Sequence, residues 1–291
     1  MTKNHLRIGL VQMRCQKNPA DNLKKALSQV RIAARKGAQI VCLQELFNTP
    51  YFCQGQKTEH FDLAETIPGP VTDALANLAR KEKVALIAPL FEKYRKGVYY
   101  NSAAVIDSNG ELIGKYRKMH IPDDPGFNEK FYFSPGDLGF KTFKIKSVKI
   151  SVLICWDQWF PEAARMAALD GADILFYPTA IGWKPNKPKE TEAYHSAWET
   201  IQRSHAIANG VFVAATNRVG QEGALRFWGQ SFVADPFGAV LYRASEKDEE
   251  IVIADCDLAK VEQTRREWPF FRDRRMDAYQ AISSRSVEKK N

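Results

Sequence analysis

What this chain lacks narrows it first. None of its apolar runs approaches the roughly 18 residues needed to cross a bilayer, and neither end carries the apolar segment of a secretory leader. No membrane association is expected, and the cytoplasm is the expected compartment. Cysteine is scarce: Cys15, Cys42, Cys53, Cys155 and Cys256 are odd in number and widely spaced, with no CxxC pair and no Cys/His cluster. That argues against a disulfide framework and against a zinc site, and it fits a reducing environment. Acidic residues are in deficit, 34 against 42 basic ones, which leaves a net charge of +8. Half of the excess lies between Arg265 and the C-terminus, but no nucleic-acid-binding motif accompanies it, so a solvated basic surface is expected and no nucleic-acid partner.

What is present is ample for a large core. Hydrophobic residues make up 45% of the 291 positions and aromatics 11%. Composition does not shift along the chain, so one domain over 1–291 is expected, ending in a basic extension from about 265.

Leu6–Gln12 reads as a first strand, and 22–36 carries apolar positions at helical spacing (Leu23, Ala26, Leu27, Val30, Ala33) before a stop at Gly37. Ala38–Leu43 is a buried strand, 71–82 a second helix behind the Pro68-Gly69-Pro70 breaker, and 84–90 a strand. A hairpin follows, with 101–106 and 111–116 flanking Ser108-Asn109-Gly110. The stretch 117–139 is irregular, as functional loops often are. Further strands are expected at 172–177, 211–215, within 232–243 and at 250–254, with a loop at 183–189 and a helix over 192–209. Alternating helices and strands with hairpins between them point to a sheet-rich α/β sandwich with helices outside.

The segment 148–164, VKISVLICWDQWFPEAA, organises the rest. An apolar, β-branched run ends at Cys155, and Pro161 suits the first turn of a following helix. A cysteine on such a strand-to-helix turn lies near backbone N–H groups and a helix dipole, an environment expected to lower a thiol's pKa. Alone, Cys155 reads better as a small buried hydrophobe. A nucleophilic thiol needs a base and a donor for the oxyanion. Glu45 follows an apolar strand, where a carboxylate is costly unless paired and is suited to accept a proton. Lys118 follows the hairpin strand, with Lys115 and Arg117 close enough to be confused with it. Each also has an ordinary reading, as a turn residue and a solvated lysine.

Taken together, these segments resemble a known family. ELF at 45–47, KYRKMHIP at 115–122 and ICWDQWFPE at 154–162 are similar to the three signature blocks of the nitrilase superfamily of carbon–nitrogen hydrolases, in the same order and at similar spacing. IGLVQM, YNSAAVID, FYFSPGD, GADILFYPTAIG and the stretch from HAIANG to ATNRVG extend the resemblance almost end to end. The resemblance implies a four-layer α-β-β-α sandwich, a catalytic set of Glu45, Lys118 and Cys155, and a supporting carboxylate at Glu129. It implies neither metal nor organic cofactor, and a homo-oligomer built from dimers, with the extension around WPFFRDRR reaching a neighbouring subunit.

Within the superfamily, HIPDDPGFNEKFYFSPGD, CWDQWFPEAAR and ADILFYPTAIG most resemble the N-carbamoylputrescine amidases of polyamine synthesis. That resemblance implies a small ureido or amide substrate. Relatives acting on N-carbamoyl amino acids tend to place arginines just after the nucleophile; here those positions are Asp157, Gln158 and Trp159, which offer no bidentate clamp for a carboxylate. Trp156 and Trp159 are expected pocket walls, Asp157 and Gln158 candidate substrate contacts, and Asp124, with Asp123, a candidate partner for a substrate ammonium. The segment HSAW at 195–198 departs from the acidic-His-Trp pattern expected there. His195 is read as a loop histidine and His120 as structural. Other aliphatic amidases, nitrilases and β-ureidopropionases share the catalytic set. A non-catalytic binding protein on this fold would have lost at least one of its members, and none is lost.

Overall fold

The first strand already shows why the chain forms layers. In β1 (His5–Gln12) Leu6, Ile8 and Leu10 lie on one face and Val11 on the other. β2 (Ile40–Leu43) repeats the alternation, with Ile40 and Cys42 on the first face and Val41 and Leu43 on the second. In this computed structural model, which describes residues 5–183 and 188–286, both faces are buried. These strands therefore read as continuous apolar runs. β3 (Ala85–Arg95), β4 (Val98–Ile106) and β5 (Leu112–Arg117) complete a meander beside β2, and the strand Glu250–Asp257 closes the other edge against β1.

α1 (Pro19–Arg35) and α2 (Pro70–Glu82) cover the second face. Ala26, Val30, Ala33, Leu75 and Leu78 pack on Val41, Leu86, Ala104 and Ile106. The first face meets a second six-stranded sheet, in which Val148–Val152 lies between Thr142–Ile145 and Ile174–Pro178, followed by Phe212–Thr216, Phe232–Ala234 and Val240–Arg243. Ile8, Ile40, Ile87 and Val105 of one sheet share a core with Ile150, Phe176 and Phe212 of the other. α3 (Pro161–Leu169) and α4 (Pro188–Asn209) join that core through Ala163, Ala164, Ala167, Trp198 and Ala206. The result is the expected four-layer α-β-β-α sandwich. No helix among the described residues is long and apolar enough to cross a membrane.

Several boundaries differ from expectation. β3 runs on to Arg95 because β4 pairs with it along its length, from Leu86↔Ile106 to Arg95↔Val98. α4 begins at Pro188, inside the expected loop at 183–189, of which 184–187 lie outside the described residues. Elements that were not expected include the edge strand Thr142–Ile145, the hairpin Val219–Glu222/Leu225–Trp228, and α5 (Ala259–Glu267). α5 buries only Val261 and Thr264, too few positions to leave a helical period in the sequence.

Candidate active site

Glu45, Lys118 and Cys155 each stand just beyond the C-terminal end of a strand, respectively β2, β5 and Val148–Val152. β2 and β5 belong to one sheet and Val148–Val152 to the other, so facing the two sheets brings the three residues together. Two of these strand ends turn through the left-handed region. Leu46, next to Glu45, has φ 50°, and Cys155 itself has φ 42°. A side chain in that conformation costs on the order of 1 kcal/mol, so both turns need something to hold them.

Lys118 is fully buried between two carboxylates. Its Nζ donates to Glu45 Oε1 at 2.8 Å and to Glu129 Oε2 at 2.6 Å, and both acids are themselves fully buried. Tyr51 OH donates to Glu129 Oε1 at 2.8 Å, and Asn101 Nδ2 donates to Glu45 Oε1 at 2.7 Å. Glu45 Oε2, also buried, has no partner. Burial alone would favour a neutral amine. Glu129 and Glu45 overcome it and hold the Lys118 pKa well above its usual value, so the ammonium persists. Burial pushes the Glu129 carboxyl up to about 7, with Lys118 opposing the shift and Glu45 adding to it.

The Cys155 thiol departs from expectation. Burial, then the negative charge of Glu45, drive its pKa well above the usual thiol value, against the pull of Lys118. A five-residue 3-10 turn, Cys155–Trp159, follows the cysteine in place of a full helix, and its small dipole cannot offset complete burial. The resting group is S–H, and it becomes a thiolate only if a neighbouring base removes the proton.

Two braces hold the turns. The fully buried Arg218 donates through Nη2 to the carbonyls of Glu45 and Leu46, at 3.0 and 2.8 Å, and through Nη1 to that of Thr49 at 3.0 Å and to Glu222. Asp157 does the same for the Cys155 turn. Its Oδ2 accepts from Ile154 N and Tyr116 OH, at 2.9 and 2.8 Å, and its Oδ1 from His120 N and Nδ1, at 3.0 and 2.7 Å. A carboxylate only accepts, so the Nδ1 of His120 carries the proton. The ring of His120 stacks on Phe160 at 3.6 Å. This matches the structural part read for that histidine.

The structure thus brings Glu129 to the three expected residues but gives the tentative contacts different places. Asp157 is fully buried and its carboxylate is saturated, so it has no lone pair to spare for a ligand. Gln158 is also buried; its Oε1 accepts from Trp198 Nε1 at 2.9 Å, and its carbonyl accepts from His205 Nε2 at 2.8 Å. Both tie the Cys155 turn to its surroundings, while the buried Nε2 of Gln158 has no partner. Trp156 and Trp159 are half-buried, edge to face at 6.4 Å. Asp123 and Asp124 are exposed on a two-residue strand. His195 lies in α4 among Trp183, Trp198 and Trp228, not in a loop. Tyr51, Asn101 and Arg218 escaped the sequence reading, although the last two sit in the quoted YNSAAVID and ATNRVG segments. Among the described residues no group of three or more His, Cys, Asp or Glu side chains is placed to hold a metal ion.

This arrangement has counterparts in known proteins. Residues 7–266 match the carbon–nitrogen hydrolase family model. The chain is 44% identical over 290 residues to an N-carbamoylputrescine amidase of Solanum lycopersicum, covering 96% of each chain. It is 42% identical over 283 residues to a citrullinase of Francisella tularensis, covering 96% of this chain and 98% of that one. A crystal structure of a carbon–nitrogen hydrolase from Helicobacter pylori G27 superposes with a TM-score of 0.94 at 45% identity, covering 97% of this chain and all of that one. A two-sheet sandwich that delivers a buried acid, lysine and thiol to one point, matched over nearly its whole length, makes this chain a member of the carbon–nitrogen hydrolase family.

Proposed function

We propose that this hydrolase cleaves N-carbamoylputrescine to putrescine, carbon dioxide and ammonia, in polyamine synthesis, with Cys155 as nucleophile, Glu45 as general base and acid, and Lys118 as oxyanion partner. The observation that carries the reading is the buried Glu45–Lys118–Glu129 ion triad beside the Cys155 thiol. A buried triad is weak support for stability, but it supplies a fixed positive charge and a proton acceptor where acyl transfer needs both.

In the first half-reaction Glu45 takes the thiol proton as sulfur bonds to the ureido carbon. The oxyanion rests against the Lys118 ammonium and the backbone N–H of Trp156. The C–N bond then breaks, and ammonia leaves with the proton held by Glu45. In the second, a water gives a proton to Glu45 and its oxygen to the carbon, the C–S bond breaks, and the proton returns to sulfur. The carbamate released loses carbon dioxide to leave the diamine. Glu129, fixed by Tyr51, holds the second side of the lysine.

For the substrate, the support is the tomato amidase and its relatives at 42–44% identity together with the residues after the nucleophile. Asp157 is spent on internal bonds, Gln158 offers only the two N–H donors of its buried, unpartnered Nε2, and no arginine stands there to receive a carboxylate. Initial rates of ammonia release from N-carbamoylputrescine, N-carbamoyl-β-alanine, citrulline and a simple nitrile test the assignment. Faster turnover of either carboxylate-bearing substrate would sink it.

The same reading takes residues 1–291 as one domain, active in the cytoplasm, where five unpaired cysteines are at home. It takes the enzyme as a homo-oligomer built from dimers. A groove between α3, α4 and the C-terminal extension, bordered by the exposed Met166, Leu169, Phe270, Tyr279 and Ile282, suits a second copy. Sedimentation of Leu169→Glu against the parent protein checks this: a lighter species is expected, and an unchanged one counts against this face.

A further inference from the structure

We infer that Asn101 selects which oxygen of Glu45 moves protons: its amide and Lys118 together occupy Oε1, leaving Oε2 as the atom that takes the proton of Cys155. The inference rests on the Glu45 and Cys155 roles proposed above.

Asn101 lies on β4, opposite Phe91 of β3, and is fully buried. Its backbone carbonyl accepts from Lys118 N at 2.8 Å, and its Nδ2 donates to Glu45 Oε1 at 2.7 Å. One residue therefore fixes both the lysine and the base. Its own Oδ1 is buried without a partner, so the side chain makes a single directed contact and leaves its acceptor unmet. A side chain serving only to fill space or satisfy itself would not be placed so.

The chemical consequence follows from the two oxygens' unequal surroundings. Oε1 accepts two donors, one of them charged, while Oε2 accepts none and is equally buried. A proton arriving on Oε1 would displace one of these hydrogen bonds, each worth about 10- to 100-fold in equilibrium when one partner is charged. Oε2 offers an empty lone pair in a dry site. Every proton in the cycle then passes through that one atom: from sulfur, to the leaving nitrogen, from water, and back to sulfur.

Glu45 is surrounded by Lys118, Glu129, Cys155, Tyr51, Cys53 and Arg218. None of them is altered by changing Asn101, so a change in the reactivity of Cys155 reports the lost amide. The test compares the full-length enzyme with Asn101→Ala and with Asn101→Ser, whose hydroxyl stops about one bond short of Glu45. Alkylation of Cys155 by iodoacetamide, located by peptide mass, is followed between about pH 5 and pH 9, with Glu45→Gln as the reference for loss of the base. The plateau rate should fall about 10- to 100-fold in both variants. In ammonia release kcat should fall alike, with KM within about two-fold. Profiles that superimpose on the parent's in folded variants overturn the inference. Should the alanine variant fail to fold, the serine variant carries the same comparison. A parent enzyme that alkylates in a Glu45-dependent way but releases no ammonia from N-carbamoylputrescine would contradict the substrate, not the part given to Asn101.

Discussion

Replacing Asp157 by Asn removes one acceptor oxygen from the brace that holds the Cys155 turn. Four donors converge on that carboxylate, two at each oxygen. If the new NH2 takes the place of Oδ2, the Tyr116 hydroxyl can rotate to accept from it, but Ile154 N–H is stranded. If it takes the place of Oδ1, His120 can exchange tautomers, but its backbone N–H is stranded. Either way one buried backbone donor is orphaned, at about 1–3 kcal/mol, and the surviving bonds lose their charged acceptor. Relief from burying a charge offsets part of this. The net expectation is a loss of about 3 kcal/mol, a fall in melting temperature of about 6–12 °C for a chain of this size. Cys155 at φ 42° is then free to relax towards an ordinary conformation. kcat on N-carbamoylputrescine should therefore fall at least about 10-fold at temperatures where the variant is fully folded, with little change in KM. Calorimetry and initial rates on one preparation decide the matter. A melting temperature within about a degree of the parent's, or an unchanged kcat, would refute the account of Asp157 as a brace.

Other outcomes follow from the same contacts. Glu129→Gln should gain stability relative to the parent as pH rises from about 4.5 to about 7. The folded carboxyl, pushed up to about 7, keeps its proton over that window while the unfolded one loses it, so the parent's stability falls there and the variant's does not. Urea midpoints at the two ends of the window measure it, and parallel changes in both proteins would contradict the shift. Arg218→Lys should cost about 3 kcal/mol, because a single ammonium cannot replace a fork that reaches the carbonyls of Glu45, Leu46 and Thr49 together. A urea midpoint equal to the parent's would remove Arg218 from the brace.

The sequence carried those parts of the molecule that depend on short-range pattern. Continuous apolar, β-branched runs made the central strands legible, and apolar spacing with Pro and Gly stops marked α1 and α2. Residues Glu45, Lys118 and Cys155 were visible because each follows an apolar strand within a distinctive segment. What stayed hidden depends on contacts between distant segments. Arg218 lies 169 to 173 positions from the carbonyls it braces, and nothing local distinguishes it from a surface arginine. Asp157 read as a ligand contact because it occupies one of the positions where relatives acting on N-carbamoyl amino acids tend to place arginines; only Tyr116 and His120, delivered by the other sheet, show where it points. The thiol was misjudged for a similar reason. The dipole argument needs only local sequence, whereas the opposing burial and the charge of Glu45 arise from two sheets closing on one another.

The central claim is that Cys155 forms the acyl-enzyme with Glu45 as its base, and it is tested most directly by trapping. Enzyme mixed with N-carbamoylputrescine, quenched in acid before the first turnover completes and digested, should carry the acyl mass on the peptide containing Cys155 and on none bearing the other four cysteines. Cys155→Ala, with an unchanged circular dichroism spectrum, should carry none and release no ammonia. Acylation at another residue, or ammonia release by the folded Cys155→Ala protein, would contradict the account.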